Sequence, residues 1–294
     1  MNSRWMIAQG RTVLTAGAVL AVLLLAGGWL FSHPMSVSAN QSVILLPAAM
    51  YHSVTDAGDS PAQYVISPSM LESDLQYLQA HGRETVTVRD LLAYVQDGAA
   101  LPEKPVLLTF DDGYYNNYKY AYPLLKQYGM RAVLSPVASL TERFSQTGEA
   151  EQEAWSYCTG RELREMADSG VFEIQNHSYD FHELKPRKGC LRMAGETAAA
   201  YRQCFLSDTR RAQDLFVSLG IEAPVCYTYP YGAVNAEAQA LTAVCGFSVT
   251  LRCEEGVTAL TRDTACLKSI RRNNRDGRWS SAQFWDALLA QTEG

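Results

Sequence analysis

The sequence predicts an α/β fold in which about seven strand–helix units close into a barrel. Three observations carry that prediction. Short apolar runs, often β-branched, recur along the chain; helical patterns of similar length separate them; and no internal repeat or low-complexity tract breaks the alternation. Strands of a parallel sheet are covered on both faces and therefore read as near-continuous apolar runs. Repeated strand–helix alternation of this length favours a barrel over an open sheet.

The predicted strands lie at 43–51, 84–88, 106–110, 131–137, 171–175, 225–229 and 247–251. Between the first two, the spacing predicts a helix over 68–80, with Met70, Leu71, Leu75 and Leu78 on one face, Ser67 as N-cap and Gly82 just past the end. Further helical patterns occupy 89–96, 117–128, 160–167, 196–219, 236–244 and 282–291. The segment 141–157 is polar and acidic and reads as a solvated loop, with Trp155 and Tyr157 as candidates for a sugar-stacking rim.

Bulk properties narrow the function. A chain of 294 residues, 47% of them hydrophobic, has ample material for a core. With 25 Lys+Arg against 31 Asp+Glu the net charge is −6, and no long basic run could follow a phosphate backbone, so no nucleic-acid partner is expected. Arg271, Arg272, Arg275 and Arg278 form the one basic cluster, read as a solvated or structural loop.

Residues 12–31 are uncharged and predominantly apolar, long enough to cross a bilayer as one transmembrane helix. Arg4 and Arg11 precede them, and the positive-inside bias places everything after Phe31 outside the cytoplasm. The expected organisation is a signal anchor at 1–31, a polar linker at 32–42 and one domain at 43–294, held at the cell membrane. A cleaved signal peptide, with Val37-Ser38-Ala39 as its cleavage site, is the rival. In an exported protein the seven cysteines make disulfides plausible, and Cys253 with Cys266 is the pair expected.

The sharpest chemical signal is Leu107-Leu108-Thr109-Phe110-Asp111-Asp112-Gly113, an apolar strand ending in two adjacent carboxylates. Neighbouring anions repel, and a divalent metal would relieve that repulsion; the other reading is a solvated Asp-Asp-Gly turn. A second strand runs into His177 and His182, five positions apart. On a helix that spacing turns the side chains by roughly 140°, so joint ligation requires an irregular strand-to-loop segment. Two His, one Asp and an open position form a typical hydrolytic zinc site. Pro230-Tyr231-Gly232 ends another strand and by itself marks a turn, and His52 follows the first strand as a lone histidine.

Taken in order, Met50-Tyr51-His52, Leu101-Pro102, the Thr109-to-Gly113 block, Tyr122-Pro123-Leu124-Leu125, the histidine segment and Tyr229-Pro230-Tyr231-Gly232 resemble the polysaccharide deacetylases of carbohydrate esterase family 4, the NodB homology domain. The resemblance implies a distorted (β/α)7 barrel and a hydrolase that removes N-acetyl groups from a cell-envelope or extracellular polysaccharide. It further implies Asp111 as catalytic base, Asp112, His177 and His182 as ligands of a metal, usually zinc, and the backbone N–H of Tyr231 as oxyanion donor. Ser178 and Asp180 would orient the ligands.

The chain departs from the common pattern in three places. Many members pair histidines four apart, whereas Phe181 fills that position here. Thr228 stands where an arginine often precedes the Pro-Tyr-Gly turn, and the late Leu-x-x-His is absent around Leu267-Lys268-Ser269-Ile270. His52 is therefore the candidate acid, and Arg271 or Arg272 a candidate to orient Asp111. A non-catalytic carbohydrate-binding relative, an iron oxygenase built on two His and a carboxylate, and an O-deacetylase are the alternative readings.

Overall fold

The computed structural model describes residues 43–57, 61–147 and 151–292. The expected membrane span and linker lie outside these residues. Among the described residues no helix is long and apolar enough to cross a membrane.

Seven parallel strands form the frame: β1 (Ala48–Tyr51), β2 (Pro105–Asp112), β3 (Ala132–Pro136), β4 (Phe172–Ile174), β5 (Cys226–Thr228), β6 (Val249–Leu251) and β7 (Asn273–Asn274). Regular parallel ladders run β7-β1-β2-β3-β4, and another joins β5 to β6. Two thin seams complete the ring. Asn176 bridges to Tyr227, with Thr228 N–H donating to the Asn176 carbonyl at 2.8 Å, and Leu251 bridges to Ile270, with Ile270 N–H donating to Thr250 at 2.9 Å. The barrel is thus closed but distorted.

One predicted stave is displaced. Glu84–Val86 is a strand, but it pairs only with Pro105–Leu107 at the start of β2, while β3 takes the same edge from Thr109 onward. The closing position belongs instead to β7, whose two polar residues make no apolar run. The outer layer comprises α1 (Pro68–Ala80), α2 (Val88–Leu92), α3 (Tyr122–Gln127), α4 (Ala138–Thr147), α5 (Gly160–Asp168), α6 (Ala198–Ser218), α7 (Ala236–Val244) and α8 (Ser281–Leu289). α1 begins as expected, with the Ser67 hydroxyl accepting from Met70 N–H, and completely buries Leu71, Leu75 and Leu78. Each such side chain stabilises the fold by about 2–3 kcal/mol.

α4 covers the first part of the segment expected to be a loop, residues 141–147. Thr141 and Phe144, three apart, are buried on its inner face, a stripe too short to stand out among polar neighbours. The expected Cys253–Cys266 disulfide is also absent: all seven cysteines are free thiols. Cys253 Sγ lies against the Arg272 guanidinium and Met50, whereas Cys266 Sγ faces the Thr261 carbonyl.

The alternation along β2 sets the site. Val106, Leu108 and Phe110 pack outward in the core shared with α1, α3 and α8, while Leu107 belongs to a second core with β6 and α2. Successive side chains of a strand point to opposite faces. Asp111 therefore follows Leu107 and Thr109 on the face turned away from the Phe110 core.

Candidate active site

β2 ends in the two carboxylates, both almost completely buried. Asp111 meets Arg272, itself fully buried, in a bidentate pair: Nη1 donates to Oδ1 at 2.6 Å and Nη2 to Oδ2 at 2.8 Å. Thr109 Oγ1 accepts from Arg272 Nη1 at 3.1 Å, and the Arg252 carbonyl accepts from Nε at 2.9 Å, which fixes the guanidinium plane. Burial alone would raise the Asp111 carboxyl, but the Arg272 charge, with His177 nearby, holds it below the usual carboxylate range. Arg272, not Arg271, is the arginine that orients Asp111; Arg271 pairs with Glu254 at the surface.

Asp112 turns away from the strand with φ 69°, and Gly113 continues the turn at φ 79°. A Cβ on Gly113 would lie 2.5 Å from Pro136 Cβ and 2.9 Å from its Cα, so glycine is required by both conformation and space. We expect Gly113→Ala to cost roughly 2–5 kcal/mol, as left-handed strain plus overpacking, read as a shift in urea midpoint. A shift under about 1 kcal/mol would contradict the packing argument.

His177 follows β4 and donates from Nδ1 to the Thr228 carbonyl at 2.8 Å. A carbonyl can only accept, so in the neutral ring Nε2 carries the lone pair. That Nε2 lies 3.4 Å from Asp112 Oδ1, and His182 Nε2 lies 3.0 Å from the same oxygen. Oδ1 is buried, yet neither contact is a well-directed hydrogen bond. The three ligand atoms lie within 4.8 Å of one another. A buried carboxylate oxygen facing two imidazole nitrogens, one of them held as an acceptor, is the donor set a divalent cation satisfies, so these residues fit the metal that the sequence implies. Burial disfavours a charged His177, but Asp112 and Asp111 outweigh it and raise its pKa; the same negative field attracts a cation.

Tyr231 stands at the mouth at φ 56°, 40% exposed, its ring stacked on His182 at 4.6 Å between centroids. Its hydroxyl donates to the His182 carbonyl at 3.1 Å. Gly232 presses against Cys253, where a Cβ would meet Cys253 Cβ at 2.8 Å. His52 continues β1, and the pairing of Tyr51 with Phe110 sets it alongside Asp111. Its Nδ1 is buried without a partner, and its ring meets Tyr64 edge-on at 4.8 Å. Burial lowers the His52 pKa, partly offset by Asp111 and Asp112. Asn117 donates to the His52 carbonyl at 2.7 Å, and Asn116 ties down Val54 and Ser53.

Thr228, in place of the arginine, contributes its carbonyl to His177 and its hydroxyl to Ser135. Ser178 and Asp180 form hydrogen bonds away from the histidine rings: Ser178 Oγ accepts from Phe181 N–H, and Asp180 Oδ1 accepts from Ser139 Oγ.

One residue of this site carries no sequence signal. Asp208, in the middle of α6, accepts Tyr179 N–H at 2.9 Å and Asp180 N–H at 2.7 Å. Burial pushes its carboxyl up to about 6 despite these donors. Because the folded pKa exceeds the unfolded one, the folded state binds more protons between about pH 4 and 6, and stability falls as pH rises through that window. Two pH units correspond to about 3 kcal/mol. In metal-free protein, the difference in unfolding free energy between wild type and Asp208→Asn should therefore slope from pH 4 to 6. A flat difference would contradict the raised pKa.

A family model for polysaccharide deacetylase matches residues 98–250. The Bacillus subtilis (strain 168) protein YxkH is 27% identical over 227 residues, 77% of this chain and 71% of that one. A poly-beta-1,6-N-acetyl-D-glucosamine N-deacetylase of Staphylococcus aureus is 28% identical over 176 residues, 58% of this chain and 55% of that protein, so the match spans about half of that relative. The solved BpsB deacetylase domain from Bordetella bronchiseptica is similar over 79% of this chain and 96% of that one, with TM-score 0.64 and 26% identity. With over half of its 294 residues matched by the family model, and carboxylates and histidines gathered at the strand ends, the chain belongs to the polysaccharide deacetylase family of hydrolases.

Proposed function

We propose that this protein hydrolyses N-acetyl groups of an N-acetylglucosamine-containing polysaccharide, with Asp112, His177 and His182 holding a divalent cation, zinc by the chemistry of the donors. The convergence of these three ligand atoms within 4.8 Å, beside a separately anchored Asp111, carries the reading. The activity named for the Staphylococcus aureus relative supports the substrate class, and the name of the Bordetella bronchiseptica domain supports deacetylation. The uncharged stretch 12–31 supports a single-pass anchor that places the domain outside the cytoplasm, where envelope polymers lie.

A bound divalent cation supplies Lewis acidity, which acidifies water and polarises a carbonyl. Asp111 is ionised at neutral pH and accepts the proton of the attacking water; its lone pairs outnumber the two that Arg272 occupies. The backbone N–H of Tyr231 meets the oxyanion as it forms, a contribution of about 3–4 kcal/mol for such donors. Its exposed ring offers a face for the sugar. His52 delivers the leaving amine its proton: burial keeps the free imidazole neutral, so the proton is the one Asp111 has taken from water, and the transient imidazolium gives it up readily because burial disfavours its charge. Water and the acetamide become acetate and the free amine.

The test is acetate release from N-acetylglucosamine polymers by the purified protein, together with its metal content. Chelation should abolish release and zinc restore it, and His182→Ala should lose both metal and activity. Release that persists in verified metal-free protein, or none from any such polymer by metal-loaded protein, would sink the proposal.

A further inference from the structure

We propose that Asp208 is a positioning residue for the metal centre, the group that makes a five-residue histidine spacing competent to bring His182 onto Asp112. The inference rests on the metal-site reading above. From Ser178 to Phe181, four successive N–H groups are taken by side chains: Ser178 by Asn176 Oδ1 at 2.7 Å, Tyr179 and Asp180 by the two oxygens of Asp208, and Phe181 by Ser178 Oγ. The Asn176 and Ser178 bonds are internal to the segment. Asp208 joins two of these amides to a separate element, the long helix α6.

The opposite edge of the segment is held by α4, where Ala138 N–H donates to the Ser178 carbonyl at 3.1 Å and Ser139 N–H to Tyr179 at 2.9 Å. The segment between the two ligands is thus clamped from both sides, with Ser178 at φ 72° making the turn. A regular strand or helix would put the two rings on different faces. The clamp instead leaves His182 Nε2 3.0 Å from Asp112 Oδ1. Asp208 is only 8% exposed, in a place where burial disfavours its charge. Asparagine could accept only one of the two N–H groups and would set its own N–H against the other.

The experiment is Co2+ titration of metal-stripped full-length protein, read by visible absorption and by competition with a chromophoric chelator. It compares wild type, Asp208→Asn and Asp214→Asn, the last an exposed carboxylate on the same helix. We expect Asp208→Asn to weaken Co2+ binding about 10–100-fold, the range for outer partners of metal ligands, and to change the absorption band because one ligand is loosened. Asp214→Asn should match wild type. Wild-type affinity and spectrum in Asp208→Asn would overturn the positioning role alone, whereas no Co2+ binding by wild type would overturn the metal reading and this proposal with it. Should Asp208→Asn not fold, hydrogen exchange of the wild type decides: the Tyr179 and Asp180 amides should be protected, and exchange at open-loop rates would overturn the proposal.

Discussion

Asp111→Asn should lower kcat/KM for acetate release by about 10²–10⁴ while leaving bound metal at wild-type stoichiometry, as expected when a general base is lost and the ligands are kept. The amide is isosteric with the carboxylate and keeps one oxygen to accept from Arg272, but it cannot take a proton from water. The substitution also leaves the buried guanidinium without its counter-charge, so stability should fall by up to about 3–5 kcal/mol. Activity must accordingly be measured well below the unfolding temperature, with folded fraction checked by circular dichroism. Loss of metal together with activity would place Asp111 among the ligands, and unchanged activity would remove it from the proton transfer.

The barrel was legible because its strands are apolar on both faces and its helices carry caps and stripes that chemistry requires locally. Ser67 before 68–80 and the fully apolar Val106–Phe110 are examples, and both are in place. The closing strand was not legible, since Asn273 and Asn274 pair through their backbones and show no hydrophobic pattern. Glu84–Val86 has the right pattern, yet periodicity reports only that a strand is buried and not which edge it shares. Among the site residues, Asp111, Asp112, His177 and His182 stood out because titratable groups at strand ends are costly without a use. Arg272 was legible only as one of the pair Arg271 and Arg272, and Asp208 not at all. The first sits in a cluster where Arg271 is exposed and Arg272 and Arg275 are buried, and the second lies on a helix with many polar positions. What selects them is a partner 161 residues away in one case and 28 or 29 in the other, information that no local window contains.

Arg272→Met carries the second large expectation, because Arg272 and Asp111 are both essentially excluded from solvent. Removing one partner of a buried pair strands the other, which typically costs about 3–5 kcal/mol, whereas replacing both can be nearly neutral. The double variant Arg272→Met/Asp111→Asn should therefore be less destabilised than the sum of the single variants, by at least about 1 kcal/mol in urea unfolding. The same cycle read as activity should behave differently. Under the proposed mechanism Asp111→Asn removes the base itself, so adding Arg272→Met should cost little further activity, while Arg272→Met alone should lower kcat through a misplaced Asp111. Additive stabilities would mean that the two charges are solvated separately and that the short contacts do not couple them. Stability recovered without activity is the outcome that separates a pair kept for catalysis from one kept for folding.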